Sequence, residues 1–160
     1  YAGSFSKKVG DLDVLIGELC PDIIFIDGAY LLHPDVALRG GSRLDRVPEV
    51  YDALKRMTIT TDRPIVTTTQ FSRQAGKKGK DGSLETISFS DAIAMHSSLV
   101  FGINEGLPPF QSTRRLIDIM KGREGEFGEF QINYGFTPVD FSELMDEQVA
   151  AEAVSLDWMA

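Results

Sequence analysis

The 160 residues hold one cysteine, two histidines and no long apolar run, and each shortage removes a class of protein. Cys20 stands alone, so no internal disulfide can form, a usage that suits a reducing cytosol. His33 and His96 lie far apart in the chain, and no pair of residues has metal-ligand spacing, which argues against a zinc centre. No stretch approaches the roughly eighteen apolar residues of a membrane span. Asn-x-Ser/Thr acceptors and the Gly-x-Ser-x-Gly nucleophile turn are both missing. Positive charge is short as well: 16 Lys plus Arg face 24 Asp plus Glu, a formal net charge of -8. That balance excludes a global electrostatic grip on nucleic acid or anionic membrane, so any such contact must be local. With 42% hydrophobic and 25% charged residues, disorder and collagen-like repeats are excluded too. The first residue is Tyr1 with no basic-then-apolar leader behind it, which reads as a piece of a longer, cytoplasmic protein.

What is present alternates between two periods. Val9, Leu12, Leu15, Ile16 and Leu19 recur at three- and four-residue steps, predicting an amphipathic helix ended by Cys20 and Pro21. Ile23 to Ile26 is an unbroken apolar run too short for a helix, and it predicts a strand buried on both faces. Gly28 to Arg46 reads as a loop. Val47, Val50, Leu54 and Met57 then restore the helical period, with Pro48 in the first turn. A β-branched strand, Pro64 to Thr69, ends in Gln70. From Phe71 to Ser83, Arg73, Lys77, Lys78 and Lys80 oppose only Asp81, which makes a basic loop. A short helix, Ser90 to His96, and a strand, Leu99 to Ile103, complete three αβ alternations and point to a mainly parallel sheet flanked by helices.

Beyond that point the pattern changes. Arg115 to Met120 and Phe127 to Asn133 predict an antiparallel hairpin, and Phe136 to Phe141 one more strand. Residues 1–141 thus read as one α/β domain portion. Residues 142–160 read as an acidic tail with a helical stretch near Leu144 to Val154.

Three features carry candidate chemistry. Asp27 follows a buried strand at the carboxyl edge of the expected sheet, where open α/β sheets bind ligands, and a carboxylate there can hold magnesium through water. Gly28 follows it, so the arrangement with a catalytic base directly after the metal-binding Asp does not apply. Gln70 ends the next strand, and an amide that both donates and accepts can sense a γ-phosphate. Lys121 and Arg123 flank Gly122 in the hairpin turn, two cations able to reach a neighbour's nucleotide. Each alone also fits a plain structural reading: a capping Asp, a polar strand end, a solvated turn. No Gly-x-x-x-x-Gly-Lys-Ser/Thr phosphate loop occurs in these residues.

Taken together, Pro21 to Leu32, Pro64 to Arg73 and Ile117 to Arg123 resemble the carboxyl-terminal half of a DnaB-like hexameric replicative DNA helicase, phage members above all, over about Asp11 to Phe141. The resemblance implies a partial RecA-like core, with ATP and Mg2+ bound between subunits of a ring around single-stranded DNA. By position, Asp27 would be the metal ligand and Gln70 the γ-phosphate sensor. Lys121 and Arg123 would reach the neighbouring subunit's nucleotide, Arg123 as its arginine finger. Arg73, Lys77, Lys78 and Lys80 would touch DNA. Absence of the family's phosphate loop implies that this chain alone is inactive. A RecA-type recombinase or other DNA-dependent ATPase, and a non-catalytic RecA-like binding module, remain as alternatives.

Overall fold

A computed structural model describes residues 7–36, 43–70 and 90–145. The chain divides into two compact units, Tyr1–Ser97 and Ser98–Ala160.

The first unit opens with helix α1, Val9–Leu19, with the expected bounds. Its first turn is satisfied from two directions: Asp11 accepts the Lys8 backbone N–H at 2.9 Å, and Asp35 accepts that of Gly10 at 2.8 Å. Cys20 ends the helix in a left-handed conformation, φ 45°, and returns its N–H to Ile16. Strand β1, Ile24–Ile26, follows and pairs in parallel with β2, Ile65–Thr67. Between them lie one 3-10 turn, Ala29–Leu31, and helix α2, Arg43–Thr61. Helix α3, Ser90–His96, again has the expected bounds.

The core of this unit is the face of α2 that carries Val47, Val50, Tyr51, Leu54 and Met57, buried with Val9, Ala29 and Ile93. These positions repeat at three- and four-residue steps, the apolar stripe by which an amphipathic helix packs on its unit. Two expectations are corrected at α2. The helix starts at Arg43, inside the stretch read as loop, because Arg43 to Arg46 are helix-tolerant residues without an apolar period. Pro48 therefore lies in the helix interior rather than the first turn, at the expense of one backbone hydrogen bond.

A third correction concerns β1. It is not buried on both faces: Phe25 is 72% exposed and its cross-strand partner Val66 44%. A parallel sheet of only two strands has one face covered and one bare, and Ile24, Ile26, Ile65 and Thr67 occupy the less exposed one.

The second unit is a sheet in the order β3-β4-β5-β8, with β3 Val100–Glu105, β4 Arg114–Lys121, β5 Gly128–Asn133 and β8 Glu143–Leu144. All its pairings are antiparallel. The hairpin β4–β5 is the expected one. β3 does not extend the parallel pair as the alternation implied; it joins β4, with Ile103 opposite Ile117. Antiparallel neighbours in sequence need no crossover, so pairing with β4 is the more local solution. The Phe136 to Phe141 strand is a small hairpin instead, β6 Gly135–Phe136 against β7 Val139–Asp140. Tyr134, Phe136 and Phe141 pack around it with ring centroids 4.9 to 5.9 Å apart, Phe136 edge-on to both of the others. Leu144, the first residue of the expected terminal helix, is extended in β8, and Met145 after it is not helical; residues 146–154 of that stretch lie outside the described residues.

Candidate functional site

Because β1 and β2 run in parallel, their carboxyl ends open on the same edge. Asp27 comes immediately after β1 and Gln70 shortly after β2. Exposure alternates along both strands, so Phe25 and Asp27 on one, and Val66, Thr68 and Gln70 on the other, share the bare face. The first unit therefore brings Asp27 and Gln70 to one edge and one face.

Two threonines lace this edge together. The Thr68 hydroxyl donates to Asp27 Oδ1 at 2.5 Å and accepts the Gly28 N–H at 3.0 Å. The Thr67 hydroxyl accepts the Ala29 N–H at 3.1 Å, and the Thr68 N–H reaches the Ile26 carbonyl at 3.2 Å. The turn so held places Gly28 at φ +85°, a left-handed conformation that disfavours a side chain, and this is the physical reason no acid follows Asp27. Behind the sheet, the Tyr51 hydroxyl lies buried beside Thr67 and Thr69 without a hydrogen bond of standard geometry. Burial pushes its phenol above the ordinary value of 10.0, against a smaller lowering from the two threonines.

No group of three or more His, Cys, Asp or Glu side chains able to hold a metal occurs among the described residues. One exposed carboxylate has one oxygen engaged by Thr68 and, among the described residues, no hydrogen bond on the other, which fits Mg2+ as nucleotide phosphates carry it, needing only one or two protein carboxylates.

The second cation-bearing element is the β4–β5 turn of the other unit. Lys121 ends β4, half-buried, and Arg123 is exposed. Glu126 folds back into this turn and its carboxylate accepts the Glu124 N–H at 2.9 Å, a bond that holds its pKa below the ordinary 4.5. Gly122 is where the turn closes: an added Cβ would meet the Glu126 carboxylate, and would lie 2.6 Å from its backbone oxygen. Only glycine fits that approach. Arg73, Lys77, Lys78 and Lys80 lie outside the described residues.

Reading the sequence passed over Thr67, Thr68 and Glu126. Three consecutive threonines register as β-propensity, and nothing local says that two of their hydroxyls close a turn forty residues upstream. Arg114 and Arg115 were equally silent: Arg114 is buried with its guanidinium 4.0 Å from the centre of the Phe110 ring, and Arg115 lies 3.8 Å over Tyr134.

The backbone, a parallel strand pair followed in sequence by an antiparallel sheet, is similar to that of solved structures. A structure described as a DnaB-like replicative helicase and its interactions with primase superposes with TM-score 0.72 at 17% identity, over 84% of this chain and 34% of that one. The ATPase domain of G40P superposes with TM-score 0.73 at 19% identity, over 88% of this chain and 52% of that one. The chain shares its fold with parts of these two structures, spanning about a third of the first and about half of the second. No protein-family model and no curated protein matches the sequence. Among the described residues no helix is long and apolar enough to cross a membrane.

Proposed function

We propose that this chain supplies one part of the ATPase domain of a replicative DNA helicase, an enzyme that hydrolyses ATP with Mg2+ and moves along single-stranded DNA as a homo-oligomeric ring, a hexamer in the DnaB-like family. The observation that carries this reading is the shared edge and face of Asp27 and Gln70 beside a turn held by Thr67 and Thr68. In this reading Asp27 is the metal ligand, Gln70 senses the γ-phosphate, and Lys121 and Arg123 reach the phosphates of an adjacent subunit. Arg73, Lys77, Lys78 and Lys80 touch the DNA backbone. Such phosphate contacts ignore base sequence and weaken with salt, with a log-log slope of about -0.7 per phosphate neutralised on a single strand.

Mechanistically, the neutral amide of Gln70 bonds a phosphate oxygen when ATP is present and loses that partner on hydrolysis. Its position directly before the basic loop in sequence gives the change a route to the lysines. Arg123, a fixed positive charge on a turn closed by Glu126, offsets charge on the transferring phosphoryl group. In the full-length protein Arg123→Ala should lower hydrolysis by ~1000-fold or more while nucleotide binding persists. Turnover within about tenfold of the parent would overturn the assignment.

A further inference from the structure

The hydroxyl of Thr68 is bonded on both sides, and the two bonds fix its proton. The Gly28 backbone N–H, 3.0 Å away, can only donate, so the hydroxyl oxygen accepts there. Its single hydrogen is thereby directed to Asp27 Oδ1 at 2.5 Å, a short, charge-assisted contact. Oδ1 is thus engaged inside the protein, whereas no hydrogen bond is formed by Oδ2 among the described contacts of Asp27. The side chain of an exposed aspartate has several rotamers open to it in water, and this contact selects one. Thr68 itself is held by backbone: its N–H bonds the Ile26 carbonyl at 3.2 Å, continuing the parallel ladder one step past β2. The hydroxyl also stands on the same face as Gln70, two residues further along.

From this geometry we propose that Thr68 is a positioning residue for the metal site: it locks the Asp27 carboxylate so that Oδ2 alone faces the nucleotide-borne Mg2+. The inference rests on the reading of Asp27 as metal ligand given above. A chain with valine at this position would keep the shape of the strand and lose the lock, leaving the carboxylate to sample orientations that do not meet the ion. Serine would keep it.

The test is Mn2+ binding in the presence of ADP, followed by electron paramagnetic resonance, on the full-length protein and its Thr68→Val, Thr68→Ser and Asp27→Asn variants. Mn2+ stands in for Mg2+, and the readout is independent of hydrolysis. Thr68→Val should weaken Mn2+ by ~10-fold, the usual cost of removing a group that orients a metal ligand, with Thr68→Ser within about twofold of the parent. Asp27→Asn should weaken it at least as much as Thr68→Val. If Asp27→Asn weakens binding and Thr68→Val does not, the role of Thr68 is overturned and the ligand reading stands. If Asp27→Asn binds like the parent, the ligand reading falls and the inference falls with it. Circular dichroism verifies folding of each variant, and Thr68→Ala, which removes the same hydroxyl with no added methyl, decides the matter if valine does not fold.

Discussion

Gly28→Ala isolates the strain that the turn after β1 imposes. At φ +85° an L-residue carries a penalty of ~1–2 kcal/mol that glycine escapes. The added Cβ would lie 3.0 Å from Leu31 Cδ1 and 3.4 Å from Tyr30 Cε1, both side-chain atoms, so the steric part is relieved by a small rotation and the backbone term dominates. The chain could escape the strain by flipping φ, but that would break the Gly28 N–H bond to Thr68, which is worth about 0.5–1.5 kcal/mol. The cheaper outcome is to keep the turn and accept the strain, for a net loss of ~1–2 kcal/mol. Urea unfolding followed by far-ultraviolet circular dichroism reports on this unit, since α1, α2 and α3 all belong to it. With a urea slope of about 1–3 kcal/mol per molar, the midpoint should fall by ~0.5–1 M. Gly28→Asn should recover much of that loss, because asparagine tolerates the left-handed region. An alanine variant as stable as the parent, or an asparagine variant as damaged as alanine, would refute the reasoning.

Leu54→Ala empties a buried position on the core face of α2 and should cost ~2–5 kcal/mol, measured by the same urea titration. Tyr51 ionises above the ordinary tyrosine value because burial disfavours its phenolate, so the stability it contributes is complete below pH 10.0 and disappears as pH rises through its raised folded value. Ultraviolet difference titration of the parent against Tyr51→Phe should show that the step lost in the variant lies above the ordinary value of 10.0, and a lost step at or below it would contradict the burial. Glu126 has a lowered pKa, so its hold on the β4–β5 turn persists above pH 4.5 and is lost only as pH falls through the lower folded value. The Glu124 amide shift in an NMR titration should follow that transition and lose it in Glu126→Gln. Asp140 behaves alike: its carboxyl is held below the ordinary 3.8 by the Ser142 N–H and hydroxyl, and carbon-detected titration should find its transition below that value.

Much of this fold was written in local periodicity. Both α1 and α3 have the bounds that their apolar spacing and flanking breakers imply, and the hairpin β4–β5 follows from two alternating runs around glycines. What the periodicity could not say is who pairs with whom. The run Ile24 to Ile26 is equally apolar on both sides, yet only one side is covered, because covering depends on how many strands and helices arrive and not on the strand itself. The same holds for β3, whose composition suits either kind of sheet. At the candidate site, the edge position of Asp27 and Gln70 was legible from strand ends alone. The threonine bonds that tie Asp27 and the turn after it to β2 were not, since their members are separated by some forty residues and reveal themselves only once the two strands lie side by side.

Phe25 and Val66 stand directly beside the row formed by Asp27, Thr68 and Gln70, so the polar groups border a greasy plate rather than open water. Under the proposed role of Asp27, an ion arriving there would have apolar surface in place of water on one flank, and its attraction to the carboxylate would be screened less than in bulk solvent. Trimming Phe25 to a small polar residue would then weaken that attraction even with every ionisable group left in place.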